Sequence, residues 1–207
     1  MNDRSVLVVV DVQYDFCPGG ALAVEEGDQI LPAINTLMHS FPLVVASQDW
    51  HPAGHISFAS QHEGKDPFDT AEIEDEEWML WPDHCVQTTR GAMLHYDLDQ
   101  HAIKLIVRKG MSHRLDSYSV FFENDRETPT GLDGYLRGLD MTDVYLCGLA
   151  LDVCVYYSAQ DSARLGYRTV VIEDATRGID NPPGSLENAI GDMKSRGVDF
   201  VQSSDLQ

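Results

Sequence analysis

Short apolar runs recur along the chain, and segments with helical spacing separate most of them. The first run, 6–10 (VLVVV), has the length and the β-branched content of a buried strand. Runs of the same kind predict five further strands, at 43–47, 105–107, 144–147, 169–172 and 198–201. Six strands of this kind are enough for the central sheet of one domain.

Helical patterns lie between most of these strands. They predict four helices, at 28–39, 132–139, 153–165 and 186–196, with Asp28 and Ser185 as the N-caps of the first and the last. Alternating strands and helices are typical of an α/β fold. We therefore expect a single domain over 1–207 with three layers (αβα) and a central, mostly parallel, roughly six-stranded sheet. Ligands of such sheets bind at the carboxyl ends of the strands.

The acidic composition restricts the kind of partner. The chain has 207 residues, and its hydrophobic share of 43% is ordinary for one globular domain. It carries 14 Lys and Arg against 34 Asp and Glu, which gives a formal net charge of −20. Because this charge repels phosphate backbones and anionic bilayers, we expect neither a nucleic-acid nor a membrane partner.

The cysteines indicate a reducing compartment. All four, Cys17, Cys85, Cys147 and Cys154, are widely spaced, and no C-x-x-C pair occurs. This spacing favours free thiols over a disulfide framework or a thiolate zinc site. The N-terminal apolar run is far too short to span a membrane. We therefore expect a cytoplasmic protein.

Cys154 is the first candidate for a reactive group. The segment 148–154 (GLALDVC) leads from a predicted strand through small residues to the start of a predicted helix. In a first helical turn, the helix dipole and the unpaired N–H groups favour a thiolate, so we expect a lowered pKa for Cys154. The same N–H groups can receive the oxyanion of an acyl intermediate. The alternative is a buried cysteine that only packs.

Several polar residues follow the predicted strands. Asp11 follows the first strand, Asp49 and His51 follow the second, Lys109 follows the third and Cys154 follows the fourth. Each could be a solvated strand end. Because the carboxyl ends of parallel strands share one edge of a sheet, the set together predicts an active site there.

A metal site is predicted near the same edge. Asp49 and His51 are two residues apart, so their side chains leave an extended chain on the same face, and His84 follows in WPDHC. Two imidazoles and a carboxylate suit zinc, iron(II) or manganese. His55 is a candidate extra ligand and His62 a weaker one. We therefore expect the irregular segment 49–84 to be a long metal-site loop.

Six motifs in order carry a family resemblance. They are DVQYDF (11–16), QDWHP (48–52), WPDHC (81–85), RKG (108–110), DSYSVF (116–121) and GLALDVCV (148–155). Over essentially its whole length the chain resembles the nicotinamidases (pyrazinamidases) of the isochorismatase-like cysteine hydrolase superfamily. One departure is Arg90, where that family suggests a small or an acidic residue.

The resemblance implies a reaction and its residues. It implies hydrolysis of nicotinamide to nicotinate and ammonia in NAD salvage, with pyrazinamide as a second substrate. Asp11, Lys109 and Cys154 match the catalytic triad, in which the thiol attacks the amide and forms a thioester. The backbone N–H groups of Ala150 and Cys154 match the oxyanion hole, and the peptide before Ala150 matches one that the family holds in the cis form.

The resemblance also implies how the substrate is held. Asp49, His51 and His84 match the ligands of one divalent metal ion, zinc first, with iron(II) or manganese as alternatives. This ion would bind the pyridine nitrogen and orient the ring. Phe16, Trp81 and Tyr118 match the aromatic walls around the ring. The oligomeric state stays open, with a homo-oligomer as one candidate.

Three rival hypotheses remain. An isochorismatase or a carbamoyl-amide hydrolase would share the fold, but neither relies on the metal residues of QDWHP and WPDHC. A metal-hydroxide hydrolase would use Asp49, His51 and His84 for water activation and leave Cys154 incidental. A non-catalytic binding protein is the third, and the intact triad argues against it.

Overall fold

A six-stranded parallel sheet forms the centre of the molecule. The computed structural model describes residues 2–73 and 76–206. The strands are β1 Ser5–Val10, β2 Leu43–Asp49, β3 Thr70–Ile73, β4 Glu76–Met79, β5 Leu105–Lys109, β6 Asp143–Leu149, β7 Arg168–Arg177 and β8 Asp199–Val201. The central sheet has the order β5-β2-β1-β6-β7-β8, and each neighbouring pair is parallel. The predicted mostly parallel sheet is confirmed.

Helices cover the sheet. They are α1 Leu31–Met38, α2 Leu132–Gly138, α3 Tyr156–Arg164 and α4 Ser185–Ser195, with a π-helical turn at Leu151–Val155 before α3 and short 3₁₀ turns at Tyr14–Phe16, Gly27–Ile30, Ala59–Gln61 and Ser203–Leu206. None of the helices that the structure describes combines the length and the apolar character that crossing a membrane requires.

Two predicted caps are wrong. The segment that contains Asp28 is a 3₁₀ turn, and α1 starts only at Leu31, with Pro32 in its first turn. Pro suits that position because its missing N–H is not needed there. Ser185 is the first residue of α4 and Gly184 is its N-cap, while the Ser185 hydroxyl donates to Asp152.

The core lies on both faces of the sheet. In β1, Leu7 and Val9 face one buried cluster, and the alternate residues Val6, Val8 and Val10 face another. The first cluster includes α1, and the second includes residues of α2, α3 and α4. Full burial of each such aliphatic side chain contributes about 1.5–3 kcal/mol. This packing accounts for the three layers and for the continuous apolar run at 6–10.

The segment 49–84 contains more regular structure than predicted. β3 and β4 form an antiparallel hairpin in which Thr70 pairs with Met79 and Ile73 pairs with Glu76. Thr70 and Glu72 are exposed, and only Ile73 of β3 is buried. The hairpin lacks the apolar run of a buried strand, which is why the hydrophobic pattern did not predict it.

Candidate active site

Four neighbouring strands bring the predicted catalytic and metal residues to one edge of the sheet. Asp49 and Lys109 are the last residues of β2 and β5, and they are direct partners in the register. Asp11 follows β1, and Cys154 lies in the π-helical turn that follows β6. The strands β5, β2, β1 and β6 are adjacent and parallel, so their carboxyl ends present these residues together.

Lys109 is the centre of the site. Its side chain is fully buried, and Nζ lies 2.9 Å from Asp11 Oδ2 and 3.6 Å from Cys154 Sγ. Nζ also donates to Asp49 and, at 2.9 Å, to the Ser117 carbonyl oxygen. A single ammonium group therefore contacts the candidate base, the candidate nucleophile and a candidate metal ligand.

Asp11 has one carboxylate oxygen available for proton transfer. Its Oδ1 accepts a hydrogen bond of 2.6 Å from Ser47 Oγ. Its Oδ2 makes the 2.9 Å ion pair with Lys109 and has no further hydrogen-bond partner among the residues that the structure describes. Carboxylate oxygens of Asp11 and Asp49 and Cys154 Sγ lie within 4.8 Å of one another. Asp11 is thus within reach of the thiol proton.

Burial determines the protonation of the triad. It raises the pKa of Asp11 above its ordinary value, although Lys109 opposes this effect. It lowers the pKa of Lys109, but the carboxylates of Asp11 and Asp49 outweigh burial and hold this pKa well above its usual range. Burial likewise raises the pKa of the Asp49 carboxyl, but Lys109, His51 and His84 together outweigh it and hold this pKa well below the ordinary range. The buried ammonium is therefore charged.

The lowered pKa predicted for Cys154 is wrong for this structure. Burial raises the pKa of its thiol well above the usual range, Lys109 lowers it, and the charges of Asp11 and Asp49 raise it further. Cys154 is the fourth residue of the π-helical turn, and α3 begins only at Tyr156. The helix start alone would favour a thiolate, but two buried carboxylates beside the sulfur disfavour it. The resting thiol therefore keeps its proton.

The three predicted metal ligands converge. Ligand atoms of Asp49, His51 and His84 lie within 4.8 Å of one another, and all three residues are buried. Asp49 Oδ2 is 3.5 Å from His51 Nε2 and 3.7 Å from His84 Nε2. One carboxylate and two imidazoles form a donor set for zinc, iron(II) or manganese.

Backbone carbonyl groups orient both imidazoles. His51 Nδ1 lies 3.0 Å from the Gly110 oxygen, and His84 Nδ1 lies 2.8 Å from the Pro82 oxygen. Because a carbonyl oxygen can only accept, each Nδ1 carries a proton, which leaves Nε2 as the ring nitrogen that can bind a metal. Gly110 has φ 65°, and a Cβ there would lie 2.5 Å from His51 Cε1. The site therefore requires glycine at 110.

Two residues of the first motif hold the metal-ligand segments. Gln13 Nε2 donates to the Asp49 carbonyl oxygen at 2.8 Å, and Gln13 Oε1 accepts from the Asp49 N–H at 2.8 Å. Asp15 Oδ2 accepts from the Cys85 N–H at 2.7 Å, next to His84. Sequence reasoning used this motif only for Asp11 and Phe16. The roles of Gln13 and Asp15 depend on contacts with distant segments.

A small cavity lies between the metal ligands and the cysteine. It is lined by Phe16, Leu22, Asp49, Trp81, His84, Asp116, Tyr118, Ala150, Val153, Cys154 and Ile179. All three predicted aromatic residues are among them. Trp81 Nε1 donates to Tyr118 Oη at 3.1 Å, and the two rings are nearly perpendicular. The cavity is mostly apolar, with the thiol and two of the metal ligands in its lining.

Asp116 was missed as a site residue. It is buried, and its Oδ1 accepts from the Ser117 N–H at 2.8 Å. Its Oδ2 has no partner among the described residues, although Asp116 lines the cavity. A buried acceptor of this kind needs a donor. In the sequence, Asp116 is only the first residue of DSYSVF, and that position does not show that its Oδ2 is unpaired.

The predicted oxyanion residues lie beside the sulfur. The Leu149–Ala150 peptide is cis, as the resemblance implied. The Ala150 carbonyl oxygen accepts hydrogen bonds of 3.1 Å from the N–H groups of both Val153 and Val155. These bonds fix the turn that carries Cys154 against Ala150.

His62 and Arg90 lie outside the ligand cluster, whereas His55 forms a second group with His51 and Asp116 in which the ligand atoms are also within 4.8 Å of one another. The His55 and His51 rings are 4.4 Å apart and tilted by 39°, with His55 Nδ1 2.7 Å from Ser57 Oγ and Nε2 3.3 Å from the Leu115 oxygen. His62 Nε2 is 2.7 Å from the Ile56 oxygen. Arg90 lies over the Tyr14 ring at 4.6 Å. Each of these side chains has a structural partner.

Known proteins match this chain along almost its entire length. The isochorismatase domain family matches residues 5–205. A nicotinamidase from Acinetobacter baylyi is 48% identical over 204 residues, which cover 99% of this chain and 95% of that protein. A solved nicotinamidase and pyrazinamidase from Acinetobacter baumanii has a TM-score of 0.97 and 49% identity, with 100% of both chains covered. A pyrazinamidase of Pyrococcus horikoshii, solved in complex with zinc, has a TM-score of 0.78 and 38% identity, covering 96% of this chain and 99% of that one.

Proposed function

The chain belongs to the isochorismatase family, and we propose that Asp11, Lys109 and Cys154 carry out its nicotinamidase reaction. The protein is an amidohydrolase that converts nicotinamide to nicotinate and ammonia in NAD salvage. The observation that carries the residue assignment is the convergence of the buried triad and the metal-ligand cluster on one aromatic cavity.

The first half of the reaction uses the thiol and the carboxylate. Cys154 attacks the amide carbonyl carbon while its proton passes to the Asp11 carboxylate, whose Oδ2 is paired with Lys109 and has no other partner in the described chain. The Lys109 ammonium stabilises the negative charge that moves between these groups. The backbone N–H groups of Ala150 and Cys154 hold the oxyanion of the tetrahedral intermediate.

The second half returns the enzyme to its resting state. Asp11 gives its proton to the leaving amine, the C–N bond of the tetrahedral intermediate breaks, and ammonia departs to leave the Cys154 thioester. Water then attacks the thioester with Asp11 as the base, and nicotinate and the Cys154 thiol are released. Phe16, Trp81 and Tyr118 hold the ring between their faces during both steps.

Asp49, His51 and His84 would hold the divalent metal ion, and zinc is our first choice. The two Nε2 atoms and the Asp49 carboxylate lie close together, with each Nδ1 held by a backbone carbonyl group, and this is the fit that such an ion requires. Such an ion would supply a Lewis acid for the pyridine nitrogen of the substrate. Asp116, with its unpaired Oδ2, would accept a hydrogen bond from a water beside this position. Pyrazinamide presents a ring nitrogen in the same place and is our proposed second substrate.

We also propose a single domain over 1–207 with a metal-site region at 49–84 and a cytoplasmic location, and the oligomeric state stays open. The four free cysteines support a reducing compartment. The net charge of −20 supports small molecules over nucleic acids or anionic membranes as partners.

The test is ammonia release from nicotinamide by purified protein, with and without a chelator. Cys154→Ala should abolish turnover and keep its metal content, whereas His51→Ala should lose metal and raise KM. Benzamide, which lacks the ring nitrogen, should be a poor substrate of the wild type. Turnover retained by Cys154→Ala would transfer the chemistry to a metal-bound hydroxide. Equal turnover of benzamide and nicotinamide would contradict the role of the metal.

A further inference from the structure

Asp152 makes an unusual set of contacts two residues before Cys154. Its side chain is largely buried, with 9% exposed. One oxygen, Oδ1, accepts from the Ile179 N–H at 2.8 Å. The other, Oδ2, accepts from the Asp180 N–H at 2.8 Å and from Ser185 Oγ at 2.7 Å. All three donors follow β7 in the chain, and the last of them is the first residue of α4.

That segment forms part of the substrate cavity. Ile179 lines the cavity together with Ala150 and Cys154. Gly178 admits the carboxylate, because a Cβ there would lie 3.0 Å from Asp152 Oδ1 and 2.5 Å from Leu186 Cδ1. The close approach of Asp152 to this segment therefore depends on glycine at position 178.

The carboxylate joins two elements that have no strand pairing to each other at this point. The π-helical turn Leu151–Val155 carries the sulfur, and the segment 178–185 carries the Ile179 wall. Charge-assisted hydrogen bonds from backbone N–H groups are short and directional, so they fix relative position well. Asp152 does not line the small cavity itself, and it faces the larger cavity that shares Trp81 and Tyr118 with it.

We propose that Asp152 is a positioning residue that locks the cysteine-bearing turn to the Ile179 wall of the cavity. This inference rests on the proposed role of Cys154 as the nucleophile. In this role Asp152 would place the sulfur against the amide carbon and would set the width of the cavity that holds the ring.

The test is the Asp152→Asn variant of the metal-loaded enzyme. Asn keeps one acceptor oxygen but turns an NH₂ group toward a backbone N–H, so at least one of the hydrogen bonds to the segment 178–185 is lost. A misplacement of about 1 Å costs on the order of 100-fold in rate. We therefore expect kcat per titrated active site to fall by about 10- to 100-fold and KM to rise, with metal content unchanged. Amide hydrogen exchange at Ile179 and Asp180 should become faster.

Asp161→Asn is the matched control. Asp161 is equally buried, lies in the following helix and pairs with Arg164 at 3.0 Å. This variant should keep the kinetics and the exchange rates of the wild type. Ser185→Ala removes one hydrogen bond to Asp152 and leaves the carboxylate in place. It should therefore change kcat, KM and the exchange rates in the same direction as Asp152→Asn, but by less.

Each result decides the proposal. Wild-type kcat and KM per titrated site in Asp152→Asn would overturn it, since Asp152 would then serve folding alone. If that variant does not fold, Ser185→Ala carries the test, and unchanged kinetics and unchanged exchange at Ile179 would overturn the proposal. Failure of the proposed function itself would be seen separately, as turnover retained by Cys154→Ala.

Discussion

Lys109 determines the character of the site at the scale of single residues. Its ammonium group lies between Asp11, Asp49 and Cys154, so the triad and the metal cluster share one charge. A buried lysine is tolerated only where carboxylates compensate its desolvation. The reverse also holds, because Asp11 and Asp49 depend on this lysine.

Replacement of Lys109 should therefore be costly for stability as well as activity. Lys109→Met leaves two buried carboxylates without their cation, and we expect the free energy of unfolding to fall by about 3–5 kcal/mol. Urea unfolding in the presence of a chelator measures this, because no metal then compensates Asp49. Lys65→Met is the control, since Lys65 is exposed and donates to the Thr70 oxygen. Equal stability of the two variants would show that Lys109 does not compensate the buried carboxylates.

The pH profile should report the raised pKa of Asp11. Burial raises this pKa above the ordinary value of 3.8, and a general base works only when it is ionised. At constant metal saturation, kcat/KM should therefore fall as the pH drops through the raised pKa of Asp11. Burial also raises the pKa of Cys154 above 9.0, so the neutral range should show no thiol ionisation. An acid limb at or below pH 3.8 would contradict the role of Asp11 as the base.

At the scale of elements, burial on both faces explains what the sequence could predict. The runs at 6–10 and 144–147 are apolar throughout because β1 and β6 are central strands with core on both sides. The polar residues after these strands were predicted to meet because parallel strands end at one edge. What the hydrophobic pattern did not predict is the largely exposed β3–β4 hairpin and the end of β7, where exposed Glu173 and Asp174 interrupt the apolar run before the buried Ala175.

The site was predictable where motifs name side-chain chemistry. Asp11, Asp49 and Cys154 are groups whose reactivity follows from their type and their position at strand ends. Asp116 and Asp152 were not predicted, because an unpaired oxygen or a set of three donors exists only after distant segments meet. The pKa of Cys154 was also not predictable from the sequence, since it depends on carboxylates at the ends of two other strands.

The packing of α1 gives a prediction for one element. Ile34 is completely buried in the cluster on the α1 face of the sheet. Ile34→Ala removes three carbons from a closed core, and we expect a loss of about 2–5 kcal/mol in the free energy of unfolding. Thr36→Ala, on the exposed side of the same helix, should change it by no more than about 0.5 kcal/mol. Similar losses for both variants would mean that α1 does not cover the sheet as described.

For the whole molecule, the net charge of −20 opposes compactness. Like charges over one surface repel each other, and folding brings them closer. The screening length falls from about 30 Å at 0.01 M salt to about 8 Å at 0.15 M salt. Added salt should therefore stabilise this protein more than it stabilises one with balanced charge.

The midpoint of thermal unfolding should rise with ionic strength over that range. Potassium chloride and tetramethylammonium chloride should raise Tm equally, because both screen charge and the larger cation has little specific affinity for carboxylates. A rise with potassium alone would indicate bound cations, and a fall in Tm with both salts would show that repulsion between the acidic groups does not control the stability. The KM for nicotinamide should stay nearly constant in the same series, because the substrate is uncharged and the surface field exerts no net pull on it. Salt should thus act on the stability of the fold and leave recognition to the enclosed aromatic cavity.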